Sequence, residues 1–324
     1  MSKNKQEILP SFWAGDEVQV DPGPPRLFAQ RDDKTFAVVL GSGAVAPNPY
    51  RNGPAGAVVV NKQPYLIDAG EGVWRGLAKA GFEHGGLLAD SLDPTKFTKL
   101  FLTHLHSDHT VGLAALIFLP WPYGRSEPLT IYGPIGTKRL VESITEGYHA
   151  DIDERLHGPE GEAKTRSGWK TIVHEIAEQG QVYEDENVKV EAFHHPHGSF
   201  KQNFTYRFSS QDKTIVWSGD GQVSDAFFEA SKNADVLFCE LTTVDHLSNA
   251  IWGGSSFEQK QKIIWSYHMK PKELAQFALD ANVKKVVLIH ECNYSVPYEN
   301  EALLEELKRD YSGDAYSSRD ADVF

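Results

Sequence analysis

The chain has 324 residues, 40% hydrophobic and 24% charged, which suits one large domain or two modest ones with a substantial core and excludes global disorder. Its formal net charge of −13 argues against a broad electrostatic footprint for nucleic acid or anionic membrane. Two cysteines, Cys239 and Cys292, make no disulfide framework or zinc ribbon, whereas thirteen histidines direct the search to a metal or acid–base site.

The N-terminus, MSKNKQEILPSFW, lacks the continuous apolar stretch of an export signal, and Val111–Trp121, the most apolar run, is far short of the roughly 20 residues of a membrane span. A cytoplasmic or other soluble compartment is expected, with no membrane partner. Residues 1–34 show no period and read as an extended arm over the domain. From Thr35 onward, short β-branched or aromatic runs recur: 36–40, 57–60, 65–68, 99–102, 129–132, 188–193, 204–208, 214–219, 235–240 and 284–290. Several are apolar throughout, as strands covered on both faces are. Helical stretches lie between them at 72–80, 110–118, 137–148, 224–231, 271–281 and 299–309. The clearest start is Lys270-Pro271-Lys272-Glu273, with proline set for a first turn. This alternation predicts an α/β fold of stacked layers over 35–324. Residues 149–185 are the least regular part and read either as a lid or insert or as a solvated excursion.

The segment Thr103-His104-Leu105-His106-Ser107-Asp108-His109 follows a buried strand, the usual place for a site in an α/β sheet. In extended geometry His104, His106 and Asp108 share one side, while His109 opens the next helix and points elsewhere. One loop thus offers two histidines to one cation and an Asp–His pair to a second. Two cations ~3.5–4 Å apart are a known arrangement for ester hydrolysis. Imidazole and carboxylate suit zinc, with manganese or iron as alternatives. Further ligands are available at later strand ends: His194, His195 and His197, then Asp220 in a glycine turn, then His290.

With these motifs the chain resembles the metallo-β-lactamase superfamily, whose HxHxDH signature is THLHSDH here. It is most similar to the ribonuclease Z and arylsulfatase-like branch. VVLGSGAVAPNPYRNGPAG and YLIDAGEG resemble that branch's opening loop and turn, and HGSFKQNFTYRF its third ligand motif. The resemblance implies a four-layer αββα sandwich in a single domain. It implies one metal on His104, His106 and His197, a second on Asp108, His109 and His290, and Asp220 bridging them. It also implies a metal-bridging hydroxide as nucleophile and Asp68 as the residue orienting ligand histidines. Glu240 and His268 resemble the branch's Glu–His pair, with His268 free to protonate the leaving group. The alternative for His268 is a helix-capping residue packed on the sheet. In the presumed lid, His149, Asp151, Asp153 and His157 are candidates for substrate contact or for solvated loop.

These residues predict a metal-dependent hydrolase of a small-molecule ester, a phosphodiester or sulfate ester first, by hydroxide attack with Asp108, His268 and Glu240 in the catalytic set. Ribonuclease Z carries a long tRNA-binding arm between its third histidine ligand and its bridging aspartate. Here 22 residues lie between His197 and Asp220, so tRNA is not the expected partner. Asp108 in place of a cysteine disfavours β-lactamase activity, and HHPHGSF departs from the turn of lactonases. Lactone or other carboxylic ester hydrolysis is the second reading, and a metal-retaining binding or sensing protein the third. Two divalent cations would place positive charge in the cleft, where a small anion can bind. A homodimer is compatible with the resemblance.

Overall fold

Successive residues of the buried strands enter different cores. In β1 (Thr35–Gly41), Phe36, Val38 and Leu40 join one apolar cluster, and Ala37 and Val39 another. An unbroken apolar run is what a strand with both faces covered requires. The protein is described by a computed structural model at residues 23–30, 33–46, 48–85, 88–161, 165–243, 254–293 and 301–324.

The first half of the chain runs through β1, β2 (Ala55–Val60), β3 (Gln63–Ile67), α1 (Val73–His84), β4 (Lys99–Phe101), α2 (Ser107–Thr110) and α3 (Leu113–Phe118). It continues through β5 (Leu129–Pro134), α4 (Thr137–Gly147), α5 (His149–His157) and β6 (Thr171–Ile176). Its strands form one sheet in the order β1-β2-β3-β4-β5-β6, antiparallel as far as β3 and parallel beyond. The second half comprises β7 (Gly180–Glu184), β8 (Lys189–His194), β9 (Phe204–Ser209), β10 (Thr214–Trp217), α6 (Asp225–Ser231), β11 (Val236–Thr243) and α7 (Phe257–Ile264). After these come α8 (Pro271–Asp280), β12 (Lys285–Asn293), α9 (Ala302–Lys308) and β13 (Asp314–Ser317). The second sheet has the order β13-β12-β11-β10-β9-β8-β7.

Three apolar clusters separate four layers. The first lies between the first sheet and α1, α3 and α4, with Leu77, Leu116 and Val141 among its members. The second lies between the sheets and includes Phe101, Tyr206, Trp217 and Val287. The third packs α6, α8 and α9 on the second sheet through Phe227, Phe277 and Leu307. The sheets approach so closely that a Cβ at Gly56 would stand 2.1 Å from the Trp217 ring. This is the αββα sandwich expected from the sequence. No helix among the described residues is long and apolar enough to cross a membrane.

Of the N-terminal arm, residues 1–22 and 31–32 lie outside the described residues. Residues 23–30 run beside the C-terminal segment: Leu27 bridges Val323, and the Arg26 side chain meets Asp322. The segment 149–185 is more regular than its sequence suggests, since it supplies α5 and the edge strands β6 and β7. With one face wet, β6 (TIVHEI) alternates exposed and covered residues instead of forming an apolar run.

Candidate metal centre

The chemistry-bearing residues gather where strand ends of both sheets meet. Leu102 still pairs with β5, its N–H donating to the Tyr132 carbonyl at 2.8 Å. The Asp68 carboxylate then takes over the chain, accepting from the Thr103 N–H at 2.8 Å and the Thr103 hydroxyl at 2.9 Å. Asp68 has φ 54°, a left-handed turn at the end of β3 that aims its carboxylate inward.

His106 is extended (φ −62°, ψ 149°), but α2 begins at Ser107, so Asp108 lies in the helix. The expectation that His104, His106 and Asp108 share one side through strand alternation is therefore corrected. Early helix onset turns Asp108 away from the first two histidines and towards His109 and His290. His290 is brought in by a slip in register: Glu240 pairs with Ile289 and Leu241 with Glu291, leaving His290 as an extra residue at φ 45°. Such a bulge re-aims a side chain. Asp220 follows Gly219 at φ 64°, where a Cβ would stand 2.8 Å from Thr103.

Donor atoms of His104, His106 and His197 lie within 4.8 Å of one another, as do those of Asp108, His109 and His290. Asp220 groups with His104 and His109 and also with His197 and His268, so it stands between the two sets. In the first set His106 Nδ1 is 3.0 Å from His104 Nε2 and 3.1 Å from His197 Nε2. In the second, His290 Nε2 is 3.2 Å from Asp108 Oδ2 and 3.1 Å from Asp220 Oδ2.

The outward nitrogens fix the tautomers. His197 Nδ1 donates to the Tyr267 carbonyl at 2.9 Å, and His109 Nδ1 to Asp68 Oδ2 at 2.9 Å. The Thr103 hydroxyl already donates to Asp68, so it accepts from His104 Nδ1 at 3.0 Å. Held this way, the neutral rings of His104 and His197 turn a lone pair inward, and His109 does so once its Nε2 proton is displaced.

The residues fit cations. His109 Nε2 and Asp220 Oδ1 are buried without a hydrogen-bond partner, 3.4 Å apart. Adjacent donors around a tetrahedral zinc are roughly 3.3 Å apart, close to the spacings seen. The two sets differ in charge. Burial drives the His104 pKa well below its ordinary value and that of His197 down to about 4. Burial opposes a charge on His109, but Asp220 and Asp68 outweigh it and raise the pKa to about 10. For Asp108 burial acts upward, and its hydrogen bond with His290 leads the opposing effects that bring it to about 2.

Beside this centre, His268 Nδ1 donates to Glu240 Oε1 at 3.0 Å, and the same oxygen accepts from the Gly221 N–H at 3.0 Å. His268 precedes α8, whose N-cap is Lys270. His195 is buried and donates from Nδ1 to the Ser218 carbonyl at 2.8 Å, whereas His194 sits at the surface 3.9 Å from Glu178. None of the four lid candidates belongs to the His/Asp groups of the centre. His149 is exposed, Asp151 pairs with Arg155 at 3.0 Å, and His157 lies 3.8 Å from Asp153.

Sequence reasoning missed three supporting residues: Thr103, the Tyr267 carbonyl, and Phe200, whose ring lies 4.5 Å from that of His106. Only Phe200 carried a signal, as an aromatic residue inside the HGSFKQNF motif.

A sequence model of the beta-lactamase superfamily domain matches residues 64–290. The chain is 28% identical to ribonuclease Z of Mycobacterium bovis over 255 residues, 78% of this chain and 84% of that one. It is 26% identical to ribonuclease Z of Pyrococcus furiosus over 317 residues, 88% of this chain and 94% of that one. Among solved structures, the metallo-beta-lactamase fold protein YhfI from Bacillus subtilis superposes with a TM-score of 0.65 at 18% identity, covering 90% of this chain and 99% of that one. Human tRNase Z, short form, gives 0.64 at 24% identity, covering 89% and 98%. The chain belongs to the beta-lactamase superfamily: it is a metallo-β-lactamase-fold hydrolase related to ribonuclease Z-type enzymes, with a dinuclear metal-binding site.

Proposed function

We propose that this protein hydrolyses a small-molecule phosphodiester or sulfate ester, with zinc as the metal and His268 as proton donor to the leaving group. His104, His106 and His197 would hold one cation, Asp108, His109 and His290 the other, with Asp220 shared. Two such cations supply Lewis acidity and a water of lowered pKa. The chain's residues do the rest. Asp68 orients His109 and, through Thr103, His104. Glu240 takes the Nδ1 proton of His268 as a hydrogen bond and fixes that ring's orientation.

The observation that carries the reading is the placement of His268. It is tied to a buried carboxylate on one side, and its donor atoms lie within 4.8 Å of those of His197 and Asp220. A histidine so placed can deliver a proton to an oxygen leaving the centre. The name of the ribonuclease Z relatives supports a P–O bond as the one broken. A small substrate is supported by the connection between His197 and Asp220, which is the β9–β10 hairpin turning at Ser210–Lys213 with no arm inserted. The net charge of −13 supports it too.

The test is a leaving-group series of aryl phosphodiesters, aryl sulfates and lactones, assayed with the zinc-loaded protein and its His268→Ala variant. The variant is expected to keep two zinc ions per chain and to slow poor leaving groups about 10²-fold, good ones far less. Equal slowing across the series would remove His268 from proton transfer. Turnover of lactones alone would favour the carboxylic ester reading, and no turnover with two metals bound the binding-protein reading.

A further inference from the structure

A cavity of about 530 Å³ opens beside Asp108, within the range of small-molecule sites. Its walls come from the loop after β1 and the start of α2–α3: Ala44, Val45, Ala46, Pro49 and Val111 are apolar, and Ser107 and Asp108 connect it to the centre. The cation in its lining is Arg51, and that charge is committed. Its guanidinium donates to the Ser42 hydroxyl at 3.0 Å and the Ser318 carbonyl at 2.8 Å, and faces Glu291 at 3.6 Å. Glu71 at the rim is paired with Arg75 at 2.7 Å. Among the described residues the cavity therefore offers apolar surface and no uncommitted cation for a second phosphate.

Its position relative to His268 assigns a direction. His268 groups with His197 and Asp220, neither of which lines the cavity, whereas Asp108 does. When a diester R–O–PO₂⁻–O–R′ is hydrolysed, the water oxygen ends on phosphorus, the P–OR′ bond breaks, and R′O⁻ takes a proton to leave as R′OH. R–O–phosphate remains. A proton donor on the His197–Asp220 side places R′ there and R on the Asp108 side.

We infer that this cavity is the subsite for the retained group R, and that it takes an uncharged apolar group, aryl or alkyl, rather than a phosphate-bearing one; the inference rests on the hydrolase reading above. Val45 and Val111 are each 62% exposed, so both are apolar surface free to be covered by R.

The experiment is titration calorimetry of the full zinc-loaded chain with methylphosphonate, 1-naphthylphosphonate and a nucleoside 3′,5′-bisphosphate. Naphthylphosphonate is expected to bind at least about tenfold more tightly than methylphosphonate, from the apolar area it covers. In the Val45→Ser/Val111→Ser double variant that preference should fall towards one. Equal binding of the two phosphonates, a preference that survives in the double variant, or tighter binding of the bisphosphate would each overturn the subsite alone. If neither phosphonate binds a chain carrying two zinc ions, the phosphodiester reading fails and takes the subsite with it.

Discussion

Asp68 Oδ2 lies 2.9 Å from His109 Nδ1, and both groups are almost wholly buried. The same carboxylate holds the Thr103 N–H and hydroxyl, so one side chain from the end of β3 sets the direction of a histidine in each ligand set. Supporting carboxylates of this kind are worth about 10–100-fold in metal affinity. Asp68→Asn should therefore fold but lose zinc about 10–100-fold more readily in competition with a chelator. Unchanged zinc affinity would show that Thr103 and His109 hold their orientation without the charge.

The charge difference between the ligand sets predicts two distinct binding steps. With a pKa raised to about 10, His109 carries its proton at pH 7 in the metal-free protein, whereas His104 and His197 are already neutral. Filling the His104, His106 and His197 set displaces no proton from those two rings. Filling the other set must displace one from His109. Calorimetry at pH 7 in buffers of differing ionisation enthalpy should find release of about one proton in one of the two steps, whose affinity rises about tenfold per pH unit below pH 10. Two steps with the same pH slope would contradict this.

Arg125 is fully buried, and its hydrogen bonds go to main-chain carbonyls. It donates to Gly168 through Nε and Nη2, to Phe97 and Leu116 through Nη1, and to Ile117 through Nη2. It thereby ties the end of α3 to the chain leading into β6. Arg125→Met should cost about 3 kcal/mol or more in denaturant unfolding, because several buried carbonyls lose their donors. A loss below about 1 kcal/mol would mean that water replaces the guanidinium.

The parts legible in the sequence are those where burial or chemistry marks residue types. Strands such as β1 and β12 were readable because both faces are covered. The edge strands β6, β7 and β13 were not, having one wet face or being short, and the polar α5 and α7 left a weak apolar stripe. At the centre, the THLHSDH run was legible because four donors crowd into six positions. The means of aiming them was not. The carbonyl of Tyr267 is a property of every residue, and the slip that frees His290 arises between two strands rather than within either. The start of α2 at Ser107, which takes Asp108 off the side shared by His104 and His106 while keeping it with His109, was hidden for the same reason: a local backbone choice carries no residue-type signature.

Each proposed ligand set draws on both sheets. His104 and His106 leave the first sheet after β4, while His197 leaves the second after β8; Asp108 and His109 belong to the first half of the chain and His290 to β12. The interior between the sheets is closed by apolar packing, whereas at this rim Asp108, Asp220 and the five imidazoles of the two sets face one another, with the Phe200 ring of the second half against His106 of the first. A cation in either set would act as a rivet across that seam. Metal loading would then fasten the mouth of the sandwich, and a chelator should loosen this rim to hydrogen exchange while leaving the packed interior around Trp217 protected.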